Sequence, residues 1–155
     1  MRSLNQCRLP FRKSETEALL KMNPSNVCSI CETTLNQVEI PKRAQEHVIE
    51  RHYPFTLHGE IHEERSLFFK NSISPQILFN TVSILLRSGL QASFKHRHRY
   101  IYHYTFDFPV GIFPNRQGGF CETRTIKIVC NYTKCRKCSH HWPSRVVTIY
   151  PSPEF

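Results

Sequence analysis

The stretch YIYHYTFDF, Tyr100 to Phe108, places an aromatic ring at every second position: Tyr100, Tyr102, Tyr104, Phe106 and Phe108 alternate with more polar neighbours. Side chains of an extended strand point alternately to its two faces, whereas a helix repeats about every 3.6 residues. The alternation therefore predicts a half-buried strand from Arg99 onward, ended by Pro109. Downstream the same period recurs. TRTIKIVC (Thr123 to Cys130) reads as a second strand, and RVVTIY (Arg145 to Tyr150) as a third, ended by Pro151. PNRQGGF (Pro114 to Phe120) reads as a turn and NYTKCRKCSHHWPS (Asn131 to Ser144) as a loop.

Upstream of Arg99 the period is helical. In SPQILFNTVSILLRSGL, Ser74 can cap a helix, Pro75 suits its first turn, and Gly89 can close it in a left-handed conformation. Ile77, Leu78, Val82, Leu85 and Leu86 form its apolar face, which predicts packing on a sheet. A second helix is predicted in PKRAQEHVIERH, with Pro41 at its start and Ala44, Val48 and Ile49 facing inward. Helices followed by an antiparallel meander give an α+β fold, N-terminal helices packed on a small twisted antiparallel β-sheet. With 155 residues the chain holds one core and a small appendage. Residues 1–27 read as a leader, in which KSETEALLKM (Lys13 to Met22) offers one short helix before NPSN breaks it, and residues 28–155 as a single domain.

The net charge of +9 is unevenly placed: residues 93–145 hold ten basic and two acidic side chains, residues 28–92 six and seven. Such a basic half concentrates polyanions such as RNA, and the competing reading is a solvated, solubilising face. No apolar run approaches the roughly 18 residues of a membrane helix. Met1 to Lys13 are basic but lack the apolar core of a secretory signal, so export would use another route or an upstream segment.

Of seven cysteines, four form two Cys-x-x-Cys pairs, Cys28/Cys31 and Cys135/Cys138, the second within a Cys- and His-rich element at 130–141. This suits thiolates on a metal better than a disulfide framework. The spacing leaves three arrangements open. Cys28, Cys31, Cys135 and Cys138 can form a closed structural zinc site, with His140 or Cys130 as substitutes; Cys28 and Cys31 can join His47 and His52; or the thiols carry no metal. In the first case His47 and His52 are free for proton transfer near neutral pH. His47 and Arg51, four apart, share a helix face about 40° wide, and His52 lies roughly 140° from His47.

Taken in order, HVIERH on a helix, the Pro75-led helix, YIYHYTFDFPVGI, ETRTIKIVC and the terminal RVVTIYP resemble the ribonuclease toxin domains of bacterial polymorphic and contact-dependent toxin systems. These belong to the broad fold class named after barnase, EndoU, colicin and RelE nucleases. The resemblance spans Glu46 to Pro151, and departs from the family in the cysteine-bearing front end and in the loop Asn131 to Ser144. It implies an effector that is secreted or delivered and acts in a target cell's cytoplasm on tRNA or another cellular RNA, without a catalytic metal. It also implies an acidic immunity partner that matches the basic half and protects the producer.

For such an enzyme the 2′-hydroxyl is the nucleophile and a cyclic phosphate the product. The protein must take one proton, give one, and stabilise the phosphate, for which imidazoles, a guanidinium fork and a hydroxyl are suited. On this resemblance His47 is the first acid/base, Arg51 or His52 its phosphate-side partner, and Thr148 and Tyr150, on one strand face, orient the substrate. Lys127 is a weaker candidate, because a strand lysine usually faces solvent. In KHRHRYIYHY, Arg97 and Arg99, with His96, His98 and His103, mix cations with aromatic rings as RNA-stacking surfaces do. Each residue also has a bland reading: His52 as a C-terminal helix cation, Thr148 and Tyr150 as ordinary strand formers. The rival class is a non-enzymatic zinc-containing module that binds nucleic acid or protein.

Overall fold

The computed structural model describes residues 26–27, 34–35, 38–53, 65–88, 90–134, 137 and 141–154. Cys28, Cys31, Cys135, Cys138, His140, Gly89 and the helix expected at 13–22 lie outside the described residues. In chain order the elements are β1 (Asn26–Val27), β2 (Thr34–Leu35), α1 (Lys42–His52), β3 (Leu67–Phe68), α2 (Pro75–Arg87), β4 (Phe94–His96), β5 (Arg99–Thr105), β6 (Gly111–Pro114), β7 (Phe120–Thr123), β8 (Thr125–Lys134) and β9 (His141–Ser152).

The fold is α+β. Its larger sheet runs β4-β5-β8-β9, every neighbour antiparallel. One face carries Tyr102, Ile126, Ile128, Cys130, Val146 and Ile149, all buried in one cluster with Leu78, Phe79, Val82 and Leu86 of α2. Leu78 and Val82 have no exposure, and burying such a side chain contributes about 1.5–3 kcal/mol. The start of α2 follows its sequence, Ser74 Oγ accepting from Ile77 N at 3.4 Å; past its other end Leu90 N donates to Leu85 O at 3.1 Å.

A smaller sheet, β3-β6-β7, was not legible in the sequence pattern, where only the turn between its last two strands stood out. That turn is held by Asn115 N to Gly119 O (2.9 Å) and Gly118 N to Asn115 O (3.0 Å), with Gly118 and Gly119 at φ of 100° and 72°. Only glycine takes those angles without strain. The two sheets meet at Gly111, where a Cβ would collide with the Leu67 carbonyl and sit 2.7 Å from Pro151 Cγ. Thr123 ties the junction, its Oγ1 donating to Ser152 O at 2.6 Å.

Four expectations are corrected. Strand β5 ends at Thr105, and Phe106 and Phe108 are buried beyond it in the core. Asn131 to Ser144 is not all loop: β8 continues to Lys134 and β9 begins at His141, the pairing absorbing two register shifts. Pro151 does not end β9, which reaches Ser152; β9 is outermost in its sheet, where a missing N–H is tolerated. Ile49 is 43% exposed, so α1 buries only Ala44 and Val48. Among the described residues no helix is long and apolar enough to cross a membrane.

Candidate active site

Helix α1 is short, and its own sequence does little to hold its ends. No side chain caps its start; Gln45 Nε2 donates instead to Ile40 O at 2.9 Å. At the other end Tyr53 is an anchor. Its ring stacks on Phe68 (5.0 Å between centroids) and its hydroxyl donates to Ile73 O at 2.8 Å, while burial pushes the phenol's pKa well up. The residue before this anchor is His52.

The His52 Nδ1 lies 2.8 Å from the carbonyl of Ser66, the residue preceding β3. A carbonyl can only accept, so Nδ1 carries the proton and donates, which leaves Nε2 as the atom that can take another. Burial lowers the pKa of His52 most, and the charges of His47, Arg51 and Arg65 lower it further, against an opposing contribution from the Ser66 bond. The ring is therefore neutral around pH 7, with a free lone pair. It stacks on Tyr150 (5.4 Å, 25° between planes) and meets His47 edge-on at 6.0 Å.

From Tyr150 the register carries the site across the sheet. Tyr150 pairs with Lys127, and Lys127 with His103, so β9, β8 and β5 line these three side chains up in one row. The Lys127 ammonium lies 5.6 Å from the Tyr150 ring centroid and 5.9 Å from that of Phe94. His103 Nδ1 is 2.8 Å from Ser93 Oγ, and its pKa is lowered by burial first and Lys127 second. Thr148, two residues before Tyr150 on the same face, has an Oγ1 shielded from water and without a hydrogen-bond partner among the described residues. A buried unpaired hydroxyl costs about 1–3 kcal/mol, which a substrate oxygen could relieve.

Of the residues singled out in the sequence, the structure thus brings together His47, His52, Tyr150 and Lys127, with Thr148 beside them. Arg51 is exposed at the end of α1 and reaches the site through its charge on His52. Arg97 and Arg99 sit at the exposed β4–β5 hairpin. Arg99 is four residues along β5 from His103, about 13 Å at strand spacing, so it flanks the site rather than joining it. Ser66, Tyr53, Phe94 and Ser93 were missed. Their roles depend on chain crossings that no local pattern announces.

Cys130, a possible zinc ligand by spacing, is fully buried in the core, and burial pushes its pKa up to about 12. Among the described residues no group of three or more His, Cys, Asp or Glu side chains converges as a metal site. Comparison with protein-family models, with curated proteins and with solved structures yields no match to this chain.

Proposed function

We propose that the protein is an endoribonuclease that cleaves RNA by internal attack of a 2′-hydroxyl, and that His52, not His47, is the base. The supporting observation is His52 stacked on Tyr150 at 5.4 Å, with a second imidazole, His47, 6.0 Å from His52 and the Lys127 ammonium against the same tyrosine ring. His52, neutral and oriented by Ser66, takes the 2′-hydroxyl proton on Nε2. The 2′-oxygen then bonds to phosphorus, the bond to the 5′-oxygen breaks, and protonated His47 supplies the proton that this oxygen needs. A 2′,3′-cyclic phosphate and a 5′-hydroxyl result. Lys127 donates to the phosphoryl oxygens as negative charge builds on them, and Thr148 and Tyr150 orient the nucleotide. Arg51, Arg97 and Arg99 bind the phosphates to either side, which fixes register without reading sequence.

The resemblance to toxin ribonucleases fits this chemistry and carries the wider proposal: a delivered effector acting on tRNA or another cellular RNA, with an acidic immunity protein as partner. Zinc, on this proposal, is structural and held by Cys28, Cys31, Cys135 and Cys138. In sequence the first pair falls between the paired strands β1 and β2, and the second between β8 and β9. Two such hairpin connections could supply four thiolates.

The test is incubation of the purified protein with total RNA, followed by analysis of fragment ends. Cyclic phosphate ends, and a block to cleavage by a single 2′-deoxy substitution at the cut site, are expected. Cleavage that survives the deoxy substitution would rule out the 2′-hydroxyl route. Loss of zinc and fold together in His47→Ala would favour the non-enzymatic zinc module instead.

A further inference from the structure

His47 also lines an open groove of about 380 Å³ between the first turns of α1 and strand β9. Its origin lies in the register of β9. Thr148 pairs with Val129 but Val146 with Cys130, so Val147 is an extra residue without a partner on β8. The shift puts Val146 into the core beside Ile149 and leaves Val147 in the groove wall. Nearby, Glu39 N donates to Ser144 O (3.2 Å) and Val146 N to Glu39 O (2.9 Å), so the segment leading into α1 is laid along the outer edge of β9. Pro41, Ala44 and Val147 make the groove apolar; Arg43, Arg145 and His47 are its charged or titratable members.

We infer that this groove binds the nucleoside on the leaving side of the cut, with its base against the apolar wall and its following phosphate on Arg43 and Arg145. The inference rests on the ribonuclease reading above, since a group that protonates the departing 5′-oxygen must touch the leaving nucleoside. The cavity that His47 lines is then where that nucleoside lies. Volume and chemistry agree. Sites for small molecules span about 300–1,000 Å³ and combine apolar walls with a few placed polar groups. A nucleotide is a flat, weakly polar base next to one anion, and a guanidinium fork suits that anion. Among the described residues Arg145 pairs with Glu39 alone, at 3.9 Å and with both side chains more than half exposed. So loose a surface pair gives way readily to a phosphate.

Two readouts on the full chain test this. In the first, nucleoside 3′-monophosphates with a free 5′-hydroxyl are titrated into ¹⁵N-labelled protein, with inorganic phosphate as a separate probe. Amide shifts should centre on Arg43, Ala44, His47 and Arg145 to Val147, and the nucleotide should bind about tenfold or more tightly than phosphate. Shifts confined to Phe94 and Lys127, or equal affinity for phosphate, would overturn the site.

In the second, Arg145→Ala and Val147→Asp are assayed on an RNA dinucleotide and on a nucleoside 3′-(para-nitrophenyl phosphate), whose leaving group carries no nucleoside. The loss of one charge-assisted contact should cut kcat/KM on the dinucleotide about tenfold to a hundredfold. Turnover of the aryl ester should change by no more than about twofold. Equal losses on both substrates would overturn the assignment. Failure of the wild type to cleave either substrate, with the groove shifts present, would sink the ribonuclease reading and keep a nucleotide site. Cleavage of both with a silent groove would do the reverse.

Discussion

The two helices among the described residues are close in length and differ in almost everything else. Of thirteen residues in α2 seven are buried, whereas α1 buries two of eleven, Ala44 and Val48. Helix α2 is capped by its own Ser74, begins with proline and spends its apolar face on the sheet. Helix α1 has no side-chain cap and is held from outside, by Ile40 at one end and Tyr53 at the other. Most helical stability in proteins comes from packing of an apolar face rather than from propensity. A helix with so narrow an apolar face contributes little to stability and leaves most of its surface for other uses. His47, Arg51 and His52 occupy that surface, and the rest of the fold supplies their placement.

The contrast can be broken most severely by exchanging the effects of mutation. His47→Ala should lower RNA cleavage by about 10²–10⁴-fold, the usual contribution of a positioned acid or base, with the unfolding midpoint almost unmoved. Leu78→Ala on α2 should do the opposite. It should cost about 2–5 kcal/mol in denaturant unfolding and leave activity per folded molecule unchanged. A large stability loss from the first variant, or an activity loss from the second, would remove the division of labour between the helices.

Tyr53→Phe sharpens the comparison because it acts on both properties. The Ile73 carbonyl loses its buried donor, which should cost about 1–3 kcal/mol. The end of α1 that orients His52 should also loosen, so kcat should fall more than KM changes. A variant that loses stability alone would show that the Ser66 bond suffices to place His52.

The smallest effect concerns pH. The pKa values of His52 and His103 are lowered from 6.5 in the fold, mainly by burial. Below pH 6.5 the unfolded chain takes up protons that these two rings resist, so stability is complete above about 6.5 and declines as pH falls through the lower folded values. His52→Gln should flatten part of this acid decline, as read from urea midpoints across pH 5 to 8. An unchanged slope would place the burial of His52 in doubt.

How far the sequence reached follows from the same physics. Helix α2 and the core face of the larger sheet were legible because their signals are periodic: Leu78, Val82 and Leu86 at helical spacing, Ile126 and Ile128 at strand spacing. The α+β class came with them. The smaller sheet was not legible, since β3 and β6 are only two and four residues long and their pairing is set by Gly111 against Leu67 and Pro151. Within the candidate site, residue types pointed to His47, His52 and Tyr150, but helical geometry favoured Arg51 over His52 as the neighbour of His47. What reverses that order is the clamp from Ser66 and the stack on Tyr150, both contacts between distant parts of the chain. Lys127 gained weight for a similar reason, because its partner Tyr150 is known only once β8 and β9 are in register.

The role of His52 as the base is tested by the rate of cyclic phosphate formation by His52→Ala, measured beside wild type on one RNA oligonucleotide, with circular dichroism to show that the fold is kept. A folded protein whose rate has fallen by about two to four orders of magnitude is expected. A folded His52→Ala protein that forms cyclic phosphate at close to the wild-type rate would contradict that role.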